Sequence, residues 1–203
     1  MPDIGDGVTF LASAYALDGT QPGDSSAAEE SCWVERARQG DLEAFDAIMT
    51  RYEGRLLRLL TGLVGDVEVA RELCQDTFLA AYQALPRVRG ELRLSAWLHT
   101  IAVNRARSYH RRRRLRSWLP LDEERLTSQA QETEESVATH DAVPRVLHQL
   151  PRDSASPLLL QIVSGLSCRE IAEVLGSSEG AVKVRLLRAR QTFRRLYEQE
   201  NAV

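Results

Sequence analysis

Seven arginines stand between Ser95 and Arg116, in the string SAWLHTIAVNRARSYHRRRRLR, and no acid interrupts them. They are Arg105, Arg107, Arg111, Arg112, Arg113, Arg114 and Arg116. The stretch carries +7 in a chain whose net charge is −3, so the remainder carries −10. A concentrated basic element in an otherwise acidic chain is the footprint of a polyanion site. Guanidinium forks match phosphate geometry and hold it without reading sequence. The competing reading is a solvated helix face with a charged end. A second candidate lies near the C-terminus. There Val184, Leu187, Arg188 and Gln191 point away from an apolar stripe, with Lys183 and Arg185 on the flanks. Such a helix suits a major groove: Arg and Lys bond guanine, Gln pairs with adenine, and apolar groups meet thymine methyls. The free N–H groups near Ser177 and Ser178 suit a phosphate. The alternative is an amphipathic helix packed on a partner.

Nothing else in the chain has the spacing of a chemical centre. His99, His110, His140 and His148 lack metal-ligand spacing, and a lone histidine on a helix reads as structural or solvent-facing. Cys32, Cys74 and Cys168 are odd in number and widely spaced, so buried or half-buried reduced thiols are expected. No glycine-rich phosphate loop follows a strand. The expectation is a non-enzyme with no cofactor and no metal. Hydrophobic content of 43% and charged content of 27% place the chain among soluble globular proteins. No apolar run approaches the roughly 20 residues of a membrane span, and no signal-peptide opening is present. A cytoplasmic protein without membrane insertion is expected.

The elements that must position these residues are helical throughout. Residues 1–27 are rich in Gly, Ser, Asp and Pro and read as a disordered tail. A short helix follows to Gln39, with Trp33, Val34 and Ala37 on one side. Asp41 caps a longer one, whose Phe45, Ile48, Met49, Tyr52, Leu56, Leu59, Leu60 and Leu63 fall at steps of three and four. Gly62 and Gly65 are expected to end it. From Asp66 the next helix runs to Pro86, with Val67, Ala70, Cys74, Phe78, Ala81 and Leu85 inward. Pro86–Leu94 reads as a loop, and Ser95 as the cap of the arginine helix. Trp97, Leu98, Ile101, Ala102, Arg105 and Tyr109 trace one face of that helix. Arginines, an aromatic and a flexible loop together suit unstacked single-stranded bases, although Trp97 alone is more often core.

Residues 117–143 are acidic and polar and read as a flexible linker. A second unit spans 144–203. Val146, Leu147 and Leu150 start a stripe that Pro151 interrupts, Pro157 sits in the first turn of the next helix, and Gly165 ends it. Ser167 and Glu170 have capping-box spacing, Gly176 sits where a left-handed residue belongs, and Ser177 or Ser178 caps the last helix. Val182, Leu186, Ala189, Phe193 and Leu196 form its inward stripe. Helix, glycine turn, helix is a helix-turn-helix pattern. The fold class is all-α: two small helical domains, 28–116 and 144–203, joined by the acidic linker.

Three strings in the first unit, GDLEAFDAIMTRYEGRLLRLL, ARELCQDTFLAAYQAL and SAWLHTIAVNRARSYHRRRR, resemble region 2 of bacterial RNA polymerase sigma factors of the extracytoplasmic-function (ECF) class. LHQLPRDSASPLLLQIVSGLSCREIAEVLGSSEGAVKVRLLRARQTFRRL resembles region 4 of the same class. The resemblance covers about residues 33–116 and 145–197. It implies partners: core RNA polymerase, through the β′ clamp helices and the β subunit; promoter DNA; and an anti-sigma factor. Arg71, Glu72, Gln75, Asp76, Phe78 and Tyr82 would meet the polymerase. Arg87, Arg89, Arg93, Trp97, Asn104, Arg105, Arg107, Arg111, Arg112, Arg113 and Arg114 would recognise and melt the minus-ten element. Ser177, Ser178, Lys183, Val184, Arg185, Leu187 and Arg188 would read the minus-thirty-five element as duplex. Ala181 and Val184 stand where the class usually has Thr and Ser, and Gln161 where a basic residue is common. A stand-alone activator with a LuxR-like helix-turn-helix is the alternative, and the first unit discriminates against it.

Overall fold

The computed structural model describes residues 24–116, 146, 147 and 149–200. Most of the expected tail and the whole acidic linker at 117–143 lie outside the described residues. Among the described residues the helices are, in order, α1 (Asp24–Arg38), α2 (Leu42–Val64), α3 (Val67–Ala84), α4 (Leu94–Arg116), α5 (Arg152–Ser164), α6 (Cys168–Leu175) and α7 (Glu179–Glu200). A 3-10 turn (Leu85–Arg87) links α3 to the loop before α4. No strand occurs among the described residues.

Local chemistry sets most of the helix ends. Asp41 Oδ1 accepts the Glu43 and Ala44 amides at 3.0 and 3.2 Å, and Arg36 Nε donates to its other oxygen at 2.8 Å. The Ala44 N–H and the Arg36 guanidinium hold this carboxyl below the usual carboxylate range. Asp66 caps α3 in the same way. Ser167 and Glu170 form the reciprocal capping box of α6, and Gly176 ends that helix in the left-handed region at φ 64°. Ser178 Oγ accepts the Ala181 amide at 3.2 Å, so of the two serines it is Ser178 that caps α7.

Several boundaries differ from the sequence reading. α1 starts at Asp24, four residues inside the segment assigned to the tail. Gly62 does not end α2; it is buried within the helix, and the left-handed Gly65 (φ 83°) is the stop. α4 starts at Leu94, and its first helical bond runs from Trp97 N–H to the Arg93 carbonyl, so Ser95 is not the cap. α5 starts at Arg152, leaving Pro157 inside the helix rather than in its first turn. Val67, expected inward, is exposed at the α3 terminus, and Met49 is only half-buried.

Two apolar clusters hold the molecule. In the first, Ile48, Tyr52, Leu56 and Leu60 of α2 meet Ala70, Cys74, Phe78 and Ala81 of α3 and Leu98, Ala102 and Ala106 of α4. Full burial of one such large side chain contributes roughly 1.5–3 kcal/mol. In the second, α5, α6 and α7 close around Leu158, Ile171, Val182, Leu186 and Phe193. That cluster also takes in Leu59, Ala96 and Val103 from the first half. α4 is therefore covered on two sides. The two units share part of a core.

Candidate nucleic-acid interface

The loop ahead of α4 is held from behind. Arg38 Nη2 donates to the Gly90 carbonyl at 2.8 Å, across 52 residues of chain, and Gly90 takes a φ of 75°. Arg87, at the end of the 3-10 turn, and Arg89, on this loop, are exposed. Arg93 at its end is engaged: its Nη1 donates to both oxygens of Glu173, at 2.6 and 2.7 Å, and its Nη2 lies 3.3 Å from Glu170 Oε1. Burial opposes ionisation of Glu170, but the hydrogen bonds from Ser167 and the nearby Arg93 hold its carboxyl below the usual range.

Along α4 the side chains sort by face. Leu98, Ala102 and Ala106 are buried against α2 and α3, and Trp97 is half-buried on the same core, which favours the packing reading of that residue. Asn104 and Arg107 are exposed neighbours, with Arg107 Nη1 3.5 Å from Asn104 Oδ1. Arg105 is half-buried, and Arg111, Arg112, Arg113 and Arg114 are exposed on the final turns. The side chain of Arg116 lies outside the described residues. His110 fixes this arm: its Nε2 lies 2.9 Å from the Leu63 carbonyl near the C-terminal end of α2.

His99 is neither solvent-facing nor on the first core. It is fully buried between the halves, with Nδ1 2.6 Å from the Ser95 carbonyl. Its Nε2 has no hydrogen-bond partner among the described residues. Desolvation pushes its pKa down to about 4; the Ser95 carbonyl opposes this shift, Arg55 adds to it and Glu170 opposes it. A signal for this was present. Ala96, His99 and Val103 fall at steps of three and four and form a second stripe on α4.

On α7 the buried and exposed faces fall where the sequence period puts them. Val182, Leu186, Ala189 and Phe193 are buried, while Val184 and Leu187 are 48% and 55% exposed. Lys183, Arg188 and Ser178 are exposed beside them, and Arg185 and Ser177 are half-buried. Lys183 Nζ lies 2.7 Å from Glu179; this hydrogen bond raises its pKa above the ordinary lysine value, so the ammonium is charged. Gln161 Oε1 accepts from Arg190 Nη2 at 2.7 Å and ties α5 to the inner edge of α7.

On the opposite side of the first half, α2 and α3 enclose a mainly apolar groove of about 450 Å³. Leu42, Phe45, Met49, Leu57, Cys74, Phe78, Leu79 and Tyr82 line it, with Glu53, Arg71 and Gln75 at its edge. Glu72, Gln75, Asp76 and Tyr82 are exposed, and Arg71 pairs with Glu68 at 2.6 Å. Phe78 is 4% exposed. It is a core residue that also forms the floor of the groove. Leu42 and Leu79, both exposed on the groove, were not singled out from sequence. Of the thiols, Cys32 is exposed, against expectation; Cys74 is buried and Cys168 half-buried. Among the described residues no group of side chains has the composition of a metal site.

Residues 48–116 match the family model for sigma-70 region 2, and residues 140–193 match that for sigma-70 region 4. The RNA polymerase sigma-H factor of Pseudomonas aeruginosa is 32% identical over 175 residues, covering 79% of this chain and 89% of the relative. The ECF RNA polymerase sigma-E factor of Haemophilus influenzae is 31% identical over 173 residues, 78% of this chain and 89% of its own. The chain belongs to the ECF class of RNA polymerase sigma factors. Among solved structures, CnrH in complex with the cytosolic domain of CnrY superimposes with a TM-score of 0.66 at 25% identity, covering 84% of this chain and 98% of that one. The sigma factor RpoE of Bartonella quintana, in complex with the anti-sigma factor NepR, shares the fold with a TM-score of 0.60 at 24% identity, covering 76% and 96%. Region 2 of this sigma factor thus comprises most of α2 with α3 and α4, and region 4 contains α5, α6 and most of α7. No helix among the described residues is long and apolar enough to cross a membrane.

Proposed function

We propose that this sigma factor binds core RNA polymerase in the cytoplasm, recognises the minus-ten and minus-thirty-five promoter elements, and directs transcription initiation under the control of an anti-sigma factor. The observation that carries the reading is the coexistence, in one chain, of an arginine-tipped α4 and a helix-turn-helix with an exposed α7 face, in family order. The exposed face of α3 (Glu72, Gln75, Asp76, Tyr82) and the adjoining groove would take the β′ clamp helices. Apolar lining with a polar rim is the anatomy of a protein interface. Region 4 would supply the contact with the β subunit. Arg87, Arg89 and Asn104 would contact the minus-ten strand while Arg107 and Arg111–Arg114 hold its phosphates. Lys183, Val184, Leu187 and Arg188 would read duplex edges in the major groove, with Ser177 and Ser178 at the backbone.

The anti-sigma assignment draws on the solved complexes of CnrH with CnrY and of RpoE with NepR. A stand-alone activator is disfavoured, because nothing in that role calls for a region 2. The deciding experiment is promoter-dependent transcription with purified core polymerase plus this protein. Specific initiation is expected. A protein that neither co-purifies with core polymerase nor directs initiation on any promoter fragment would defeat the proposal.

A further inference from the structure

The loop ahead of α4 is anchored at its two ends and loose between them. Leu85 and Leu94 are buried in the first apolar cluster, and Leu92 packs against it. From Arg87 to Glu91 no residue is buried, so packing does not fix this stretch. Gly90 sits within it at a φ of 75°, with nothing within 4 Å of the place a Cβ would take. A glycine in open space has more conformational freedom than any other residue. Two hydrogen bonds oppose that freedom. Val88 N–H closes the 3-10 turn on the Leu85 carbonyl at 3.1 Å, and Arg38 Nη2 donates to the Gly90 carbonyl at 2.8 Å. The second is charge-assisted, the stronger kind.

Arg38 is itself delivered from a firm base. Val34 and Ala37 of α1 are buried in the same cluster. Arg36 bonds Asp41, the residue that caps α2, so the end of α1 is clipped to the start of α2. Glu35 Oε2 lies 3.3 Å from Arg38 Nη1 and orients the guanidinium from its own helix. The Arg38 side chain is 19% exposed, which leaves it poorly placed to meet DNA directly. The family match for region 2 begins at residue 48, and α1 lies wholly before it.

We propose that Arg38 is a positioning residue for minus-ten recognition: from α1 it fixes the Gly90 peptide, and through it the loop that carries Arg89. The proposal rests on the promoter reading given above, in which Arg87, Arg89 and Asn104 contact the minus-ten strand. Reading a base takes a contact held to within about 0.5 Å, whereas holding a phosphate tolerates a looser one. Loss of the Arg38 bond therefore costs discrimination between bases more than it costs affinity. The cations of the loop and of the α4 arm remain in place to hold phosphates.

Three variants of the full chain, each bound to core polymerase, test this. The probe is a labelled single-stranded oligonucleotide carrying the minus-ten sequence of a promoter the wild type initiates from, with versions altered at one base. The quantity read is the ratio of mismatched to matched Kd. Arg38→Met removes the guanidinium and keeps an unbranched chain; Gly90 is exposed, so its freed carbonyl can bond water. The ratio is expected to fall about fivefold or more while matched affinity changes about twofold or less. Arg38→Lys keeps a charged donor for the single bond at Gly90, and its ratio is expected to stay within about twofold of the wild type. Gly90→Ala strains the left-handed backbone without meeting any neighbour, and should lower the ratio as Arg38→Met does. Should Arg38→Met lose its helical circular dichroism, Gly90→Ala carries the test. A lower melting temperature with an unchanged ratio makes Arg38 a structural brace and overturns the proposal. An equal loss of affinity for every oligonucleotide makes it a phosphate contact and overturns it too, as does a lysine variant no better than methionine. A wild type that initiates but shows no preference among the oligonucleotides defeats the minus-ten reading of the loop, and the role of Arg38 with it.

Discussion

His99 shows what a single buried ring does to this molecule. Its pKa of about 4 in the folded chain lies below the ordinary histidine value of 6.5. The unfolded chain therefore binds more protons between these limits, and stability falls as pH drops from 6.5 toward 4. The shift corresponds to an upper value of about 3 kcal/mol. Thermal melts of the full chain should show this loss, and His99→Phe should flatten it; a variant with an unchanged pH slope would place the titration elsewhere. Ser167 offers a second single-residue check. Its hydroxyl accepts the Glu170 amide, while Glu170 reaches back to the Ser167 N–H. Ser167→Ala should cost about 1 kcal/mol in a denaturant titration, by loss of the cap.

Among the elements, α4 does two jobs along its length. Its first half is packed on both sides, and its last turns are a cationic arm pinned at His110 to the end of α2. Neutralising Arg111, Arg112, Arg113 and Arg114 should weaken promoter binding and reduce the slope of log affinity against log salt by roughly 0.7–0.9 per lost phosphate contact. An unchanged slope would make these arginines a solvated face. On α7, Leu187→Glu should weaken duplex promoter binding by about tenfold or more without lowering the melting temperature, because Leu187 is exposed beside a packed stripe. Both elements were largely legible in the sequence, since period and capping are local. Asp41, Asp66, the capping box at Ser167 and the left-handed Gly176 all act within a few residues. What escaped was contact across the chain. Nothing in the neighbourhood of Arg93 announces Glu173, 80 residues away, and Gly62 reads as a breaker until Leu159 is seen against it. Phe78 was open to two readings because a groove floor is core by spacing and surface by neighbourhood.

At the scale of the whole molecule the candidate surfaces are spatially distinct. The α2–α3 groove opens on one side, the α4 arm and the loop at Arg87–Arg89 present cations, and α7 presents its own face. Gln75→Ala with Asp76→Ala should reduce affinity for core polymerase about tenfold while leaving the melting temperature of the chain unchanged, since both side chains are exposed. Co-sedimentation with core polymerase measures the first and calorimetry the second. Equal affinity in the variant would remove the α3 face from the polymerase interface. Two units were expected, but their mutual packing was not, because the period of α4 registers burial without saying which partner provides it.

Gly62 has a genetic corollary. Every single-base change in a glycine codon that alters the residue installs a larger side chain or a stop. At most helix positions such a change is absorbed by turning the new side chain into open space; at this one its Cβ meets the Leu159 side chain at 2.8 Å. Codon 62 would then tolerate few single-base changes. A saturation screen for folded protein should leave glycine dominant there, with the accepted substitutions paired to a smaller residue at Leu159.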